Sequence, residues 1–316
     1  MANSPIKSFI QQLKYQGEIG FWTYIFLAKI RRYWTNYRFS DEDYVTKVFN
    51  KAHDYPLNLT SPKTLNEKIQ WLKLYDRKPI YSTYADKYAV RAYIKEVLGE
   101  EYLIPLVKFT HNYKEISPEN FPDYPVIVKG NHDSGSFIIV KDKTKVNWHQ
   151  LRTNCREWLQ FNYYWEDREY PYKSIKPGII VEKLLQTSDG KIPNDYKLNV
   201  FNGKVEFIYV AVDREGENKR NIYSKDWTPL YFQWAKRYKN NPNLRGPEVP
   251  APQSLPLMIE LAEKLGQQFP YVRIDFYDVD GKVYFGEITQ FQGGGFDQMQ
   301  PESYDHEYGK LIELPV

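Results

Sequence analysis

The sequence predicts an α+β chain rather than a doubly wound parallel sheet. Helical periodicity fills the first third. β-prone runs joined by turn residues fill most of the rest, with two further helical stretches between them. At 316 residues the chain is long enough for one large domain or two to three smaller lobes.

Residues 1–40 read as one or two helices. SPKTLNEKIQWLKLYD (61–76) opens on a capping residue, Ser61 or Thr64, and repeats Leu65, Ile69 and Leu72 at helical spacing. YADKYAVRAYIKEVLG (84–99) reads as an amphipathic helix ended by Gly99. YPVIVKGNHDSGSFIIVKD (124–142) reads as strand, loop, strand, residues 147–169 as helical, and GIIVEKLL (178–185) as a strand. DYKLNVFNGKVEFIYVAVD (195–213) predicts a hairpin about Asn202-Gly203, a pair suited to a two-residue turn. The Pro-rich residues 242–256 read as a loop, LPLMIELAEKLGQQF (255–269) as a helix, and VRIDFYDVDGKVYFGEI (272–288) as a last hairpin. No internal repeat or low-complexity tract is visible.

Composition narrows the classes. Apolar content of 42% and charged content of 26% are those of a soluble globular protein. A net charge of +3, with no basic run, gives no footprint for nucleic acid. The single cysteine, Cys155, excludes an internal disulfide and a cysteine-based metal site, and fits a reducing cytosol. The 28 Tyr, 17 Phe and 8 Trp either fill the core or stack on sugar rings. The start lacks a cationic region followed by an apolar core, so we expect a cytoplasmic protein. FWTYIFLAKIRRYW (21–34) sets aromatics and aliphatics beside Lys29, Arg31 and Arg32. It reads either as a helix packed on the body or as one lying in a membrane interface, a peripheral contact.

The last hairpin raises the chemical question. Val272, Ile274 and Phe276 take one strand face, and Arg273 and Asp275 the other. A three-residue loop Val279-Asp280-Gly281 pairs Asp278 with Lys282. That sets Arg273 opposite Glu287 and keeps Asp275 on their face. A two-residue loop moves Glu287 to the apolar face. We expect the longer loop, hence one guanidinium and two carboxylates together. They read as a solvated sheet face or as a holder for Mg²⁺, which takes hard oxygen ligands and few of them. VIVKGNHDSGS ends a β-run at Lys129 and turns through small residues whose N–H groups can approach an anion. It is no P-loop, and an exposed polar hairpin is the plain reading. Glu182, at the end of GIIVEKLL, either accepts ribose hydroxyls or is a strand-end surface residue.

In order, ADKYAVR with GEEYLIP, VIVKGNHDSGS, IIVEKLL, and VRIDFY with DGKVYFGEIT resemble the ATP-grasp superfamily. LNEKIQWLKLYDR, DYKLNVFNGKV, KRNIYSKDW and FGEITQFQGGGF resemble its TupA-like branch, associated with teichuronopeptide and capsular polysaccharide biosynthesis. The resemblance runs from about Leu65 to the C-terminus. It implies two α+β lobes that clasp ATP, after an N-terminal helical segment at 1–60 and a helical region at 61–115. The nucleotide-covering lobe would be 116–185, and the C-terminal lobe with the metal site 186–316. Lys129, Gly135 and Ser136 would meet phosphate, Glu182 ribose, and the segment through Lys183, Leu184 and Leu185 adenine. Arg91 stands where relatives carry a phosphate lysine, with Lys87 as the alternative. Lys197 is a further phosphate candidate. Asp275 and Glu287 would carry Mg²⁺, with Arg273 stabilising the transferring phosphoryl group. Thr289 replaces the usual Asn after the metal glutamate. Arg220 and Asn221 are candidates for an anionic substrate or the triphosphate. FQGGGF (291–296) binds an anion through its N–H groups or is a tight turn. The implied function is an ATP-dependent carboxylate–amine ligase of surface polysaccharide, joining an amino acid or amino sugar to a uronic-acid carboxyl. A glycosyltransferase, against which we expect no nucleotide-sugar Asp-x-Asp run, and a non-catalytic ATP-grasp module are the alternatives.

Overall fold

The computed structural model describes residues 5–212, 219–236 and 244–315. Residues 1–4 of the N-terminal helices, residue 213 of the hairpin and residues 242–243 of the Pro-rich stretch lie outside them. In chain order the helices are α1 (Pro5–Leu13), α2 (Gly17–Arg32), α3 (Asp41–Ala52), α4 (Leu65–Tyr75), α5 (Ile80–Ala85), α6 (Val90–Val97), α7 (Trp148–Trp158), α8 (Tyr164–Asp167), α9 (Leu255–Gly266) and α10 (Ser303–Gly309). The strands are β1 (Leu106–Thr110), β2 (Val126–Gly130), β3 (Phe137–Val140), β4 (Ile179–Lys183), β5 (Asp195–Phe201), β6 (Lys204–Val212), β7 (Lys219–Ser224), β8 (Pro229–Leu230), β9 (Gln233–Ala235), β10 (Tyr271–Val279), β11 (Lys282–Thr289) and β12 (Gln298–Gln300). The chain divides into two compact units. One takes the chain through Ser40, Pro105–Glu166 and Tyr172–Leu184. The other takes Asp41–Ile104, Asp167–Pro171 and Leu185 onward.

In the first unit an antiparallel sheet runs in the order β1-β4-β2-β3. Val126 and Val128 alternate into a core shared with Leu151 and Cys155 of α7. Asn147 starts α7, its side-chain oxygen accepting from the Gln150 N–H at 3.0 Å. Burial pushes the Cys155 thiol up to about 12, so it stays protonated. Lys129 and Glu182 lie on the sheet face opposite this core, because Ile127 pairs with Glu182 and Lys129 with Ile180. The helical reading of 147–169 resolves into α7 and the short α8, separated by Leu159–Tyr163.

In the second unit an antiparallel sheet runs β11-β10-β5-β6-β7-β8. Both faces are covered. Leu198, Ile208, Val272, Ile274 and Phe276 face a core with Met258, Ala262 and Leu265 of α9. Phe201, Phe207 and Tyr271 face a second core with Leu65, Ile69 and Leu72 of α4. The N-terminus of α4 carries a full capping box between Thr64 and Glu67. The single helix expected over 84–99 is two, α5 and α6. Asp86 breaks it, its Oδ1 accepting from the N–H groups of Tyr88 and Ala89 at 2.9 and 3.2 Å, a local turn that competes with the helix ladder.

The Thr64 hydroxyl accepts from Glu67 N–H at 3.1 Å and also receives the Tyr55 hydroxyl. Thr64→Ala is therefore expected to cost about 1 kcal/mol. Thermal unfolding checks this, and an unchanged midpoint would show that the cap is dispensable.

Candidate active site

The last hairpin does not turn as the sequence suggests. Val279 pairs with Lys282, so the loop is the two residues Asp280-Gly281, both with positive φ (53° and 88°). Such a loop by itself would turn Glu287 to the apolar face. A β-bulge between Asp275 and Phe276 adds one residue to β11 and restores the phase. Asp275 then pairs with Glu287, and Arg273 with Thr289 rather than with Glu287. Gly286 is the residue at the bulge. A Cβ there would lie 3.0 Å from Asp275 O and 3.2 Å from Asp275 Cβ, so a side chain would require the facing strand to give way.

The three charges converge as expected. Arg273 donates to Asp275 from Nε at 2.6 Å and from Nη2 at 2.7 Å, and Nη2 also donates to Glu287 at 2.5 Å. Its Nη1 donates to Gln292. Lys197, on the neighbouring β5, donates to Asp275 at 2.5 Å and to Asp195 at 2.6 Å. Asn199 braces the face from one strand over, accepting from the Tyr271 hydroxyl at 2.9 Å. Thr289 donates to Glu287 at 3.0 Å.

Burial sets the electrostatics. Asp275 is 1% exposed, and its desolvation pushes the carboxyl up to about 6 against the pull of Arg273 and Lys197. Burial acts on Glu287 in the same sense, but Arg273, Lys197 and Lys87 outweigh it and hold the carboxyl at about 2. Burial opposes the Lys197 charge, yet Asp195 and Asp275 leave its pKa raised. Arg273 and Lys197 thus face Asp195, Asp275 and Glu287, and the charge of Lys87 reaches Glu287 as well.

This donor set fits Mg²⁺, which uses one or two protein carboxylates plus phosphate and water oxygens. Asp275 and Glu287 are opposed across one ladder. Among the described residues no group of three or more His, Cys, Asp or Glu is arranged to hold a metal. The chain therefore offers a carboxylate pair rather than a cage.

The remaining candidates divide. Lys129 and Glu182 come together as an ion pair at 2.6 Å. Gly135, in the β2–β3 loop beside Ser136, has φ 92° with open space where a Cβ would stand. The N–H groups of Lys183 and Leu184 bond to Pro105 O and Pro125 O, both at 3.0 Å, so they are not donors to a base edge; Leu185 begins the second unit. Arg91 donates to the Ile104 carbonyl at 2.9 Å, whereas the charge of Lys87 acts on Glu287. Lys197 belongs to the carboxylate cluster. Asn221 is fully buried and donates to Pro247 O at 2.6 Å while accepting from Gly246 N–H at 3.0 Å, a structural role in place of the substrate contact expected.

Arg220 instead lines a cavity of about 250 Å³ with Arg245, Tyr209, Tyr231 and Trp234. The chain does contain Asp-x-Asp spacings, at 41–43 and 278–280. Asp41 pairs with Arg77 at 2.8 Å and Arg168 at 3.0 Å. Asp278 accepts from Gly281 N–H at 2.8 Å and Asp280 from Ser188 N–H at 2.8 Å. Asp41 is thus held by two guanidinium groups, while Asp278 and Asp280 hold turn backbone.

FQGGGF is a turn with Gly293, Gly294 and Gly295 at φ 56°, 63° and 70°. Its carbonyls are held from α4: Lys73 donates to Gly294 O at 2.6 Å, and Gln70 to Gly294 O and Gly295 O at 3.0 and 2.7 Å. The Gly294 N–H bonds to Phe291 O at 2.9 Å, inside the turn. Burial lowers the pKa of Lys73 and raises that of nearby Glu169. Asp195 and Asn199 were legible as the polar alternation of DYKLNVF. Lys73, Gln70 and Gln292 were not, because polar residues on a helix or loop ordinarily face water.

Lys197→Met removes the ammonium that bonds both Asp195 and Asp275. We expect a loss of about 3–5 kcal/mol in urea unfolding. Adding Asp195→Asn should recover part of it. A single variant as stable as the parent would show that the ammonium is not needed.

A family model described as TupA-like ATPgrasp matches residues 67–313. A comparison with curated proteins gives no match. Among solved structures, D-alanine–D-alanine ligase from Helicobacter pylori is similar at 15% identity and TM-score 0.39, over 78% of this chain and 69% of that one. D-alanine–D-alanine ligase from Bacillus anthracis is similar at 17% and TM-score 0.35, over 66% and 57%. L-amino acid ligase from Bacillus licheniformis is similar at 13% and TM-score 0.40, over 81% and 56%. The chain thus spans between about half and two thirds of the length of these structures. With the family model matched across well over half of its length, the chain belongs to the TupA-like ATP-grasp family.

Proposed function

We propose that this protein is an ATP-dependent carboxylate–amine ligase. The observation that carries the reading is the buried cluster in which Arg273 forks Asp275 and reaches Glu287, with Lys197 behind it. Such a face is preorganised for a transferring γ-phosphoryl group, because fixed charges in a dry site need little reorganisation when charge develops. The substrate carboxylate oxygen attacks Pγ, the bond from Pγ to the bridging oxygen breaks, and ADP leaves. The amine nitrogen then attacks the acyl carbon, phosphate leaves, and the amine gives up a proton.

In this reading Arg273 orients the phosphoryl oxygens while keeping Asp275 ionised. Asp275 and Glu287 would hold Mg²⁺, whose charge neutralises the phosphates. Lys87 adds positive charge on the same side. Lys129, with Gly135 and Ser136 after it, meets phosphate, and Glu182 accepts ribose hydroxyls. The cavity lined by Arg220 and Arg245 and by Tyr209, Tyr231 and Trp234 suits an acidic saccharide, since guanidinium forks match a carboxylate and aromatic faces match sugar C–H surfaces. That supports a uronic-acid carboxyl as the activated group, in surface-polysaccharide synthesis.

ADP should form only when both an acidic sugar and an amine are present, in amounts equal to the amide produced. Mass spectrometry of uronic-acid and amino-acid panels reads both quantities. Product made from a nucleotide sugar without ATP would overturn the reading. Asp275→Asn with Glu287→Gln should abolish turnover while the protein still folds. Lys129→Ala should weaken ATP binding by on the order of 1.5–3 kcal/mol and adenosine by less. Calorimetry that gives equal losses for both ligands would remove Lys129 from the phosphate.

A further inference from the structure

Helix α2 is held to its unit by one face. Phe21, Tyr24 and Ile25 are buried there, against Ile10 and Leu13 of α1 and Phe161. The opposite face is apolar too. Ile19, Trp22, Phe26, Ile30 and Tyr33 are 85%, 48%, 64%, 42% and 53% exposed. At 100° per residue these five positions fall within an arc of about 80°. Leu27 and Trp34 border the arc and are also exposed. Single exposed apolar residues are ordinary, but a contiguous stripe of this kind marks a contact surface.

The rim of the stripe is cationic. Lys29, Arg31 and Arg38 are exposed. Among the described residues Lys29 and Arg31 form no ion pair, whereas the acids of this region, Glu18 and Glu166, are bound to Arg156 and Arg32. Tryptophan and tyrosine are the side chains suited to the depth where hydrocarbon meets headgroups. No helix of the described residues is long and apolar enough to cross a membrane. The stripe, roughly 20 Å long at 1.5 Å per residue, has the dimensions of a helix lying in the interface plane. It also lies outside residues 67–313, so the family match does not account for it.

We propose that α2 seats this protein on a bilayer carrying anionic headgroups. The stripe from Ile19 to Tyr33 enters the interface, and Lys29, Arg31 and Arg38 meet the lipid phosphates. A second copy of the chain is the weaker occupant, because pairing two stripes would bring two cationic rims together. The proposal is independent of the ligase reading.

Flotation of the full chain with vesicles tests it. Phosphatidylcholine vesicles containing phosphatidylglycerol should carry the protein upward, less so as salt rises, and phosphatidylcholine alone should carry far less. Phe26→Glu with Ile30→Glu should abolish flotation without lowering the melting temperature, since neither residue is in the buried face. Lys29→Ala and Arg31→Ala should each weaken partitioning about fivefold. Absence of flotation with either vesicle, or equal flotation with both, would overturn the proposal. So would a solution dimer that Phe26→Glu with Ile30→Glu splits while flotation is unchanged.

Discussion

A guanidinium buried against carboxylates constrains the whole second unit. Charge at 1% exposure is tolerated only when its hydrogen bonds are met inside the protein. Arg273 and Asp275 meet that condition together with Lys197, Glu287 and Gln292, drawn from three adjacent strands and the loop after β11. Each partner must be on the same sheet face, so the ladder register has no freedom to slip. The bulge at Gly286 is the adjustment that reconciles this demand with a tight two-residue turn.

The same constraint extends into the Gly-rich loop. Gln292 accepts from Arg273 at its start, while Lys73 and Gln70 hold the carbonyls of Gly294 and Gly295 further on. Consecutive left-handed residues present those carbonyls to α4. At Gly295 a side chain would run into Gln70 and Ile69. The loop is thus fixed by main-chain acceptors and side-chain donors, and α4, which opens the family match, holds a segment more than two hundred residues away in sequence.

In the first unit the polar pair is simpler. Lys129 and Glu182 share a sheet face because β2 and β4 are neighbours, and each satisfies the other across 2.6 Å. The core on the opposite face makes no use of them. The pair, with Glu182 buried, sits on the face away from that core and beside a loop turned by Gly135, so the core itself is left to Val126, Val128 and α7.

The sequence by itself determined whatever depends on period and local turn chemistry. Strand alternation set Arg273 and Asp275 against Val272, Ile274 and Phe276; Thr64 and Glu67 marked the start of α4; Asn202-Gly203 marked its hairpin. These features depend on residues a few positions apart. The facing partner of Asp275 was decided only in the folded chain, because a bulge changes register without a sequence signature beyond one glycine. The roles of Lys73, Gln70 and Asn221 were likewise tertiary. A polar side chain becomes buried and structural only when a distant backbone brings it an acceptor, and local sequence holds no record of that meeting.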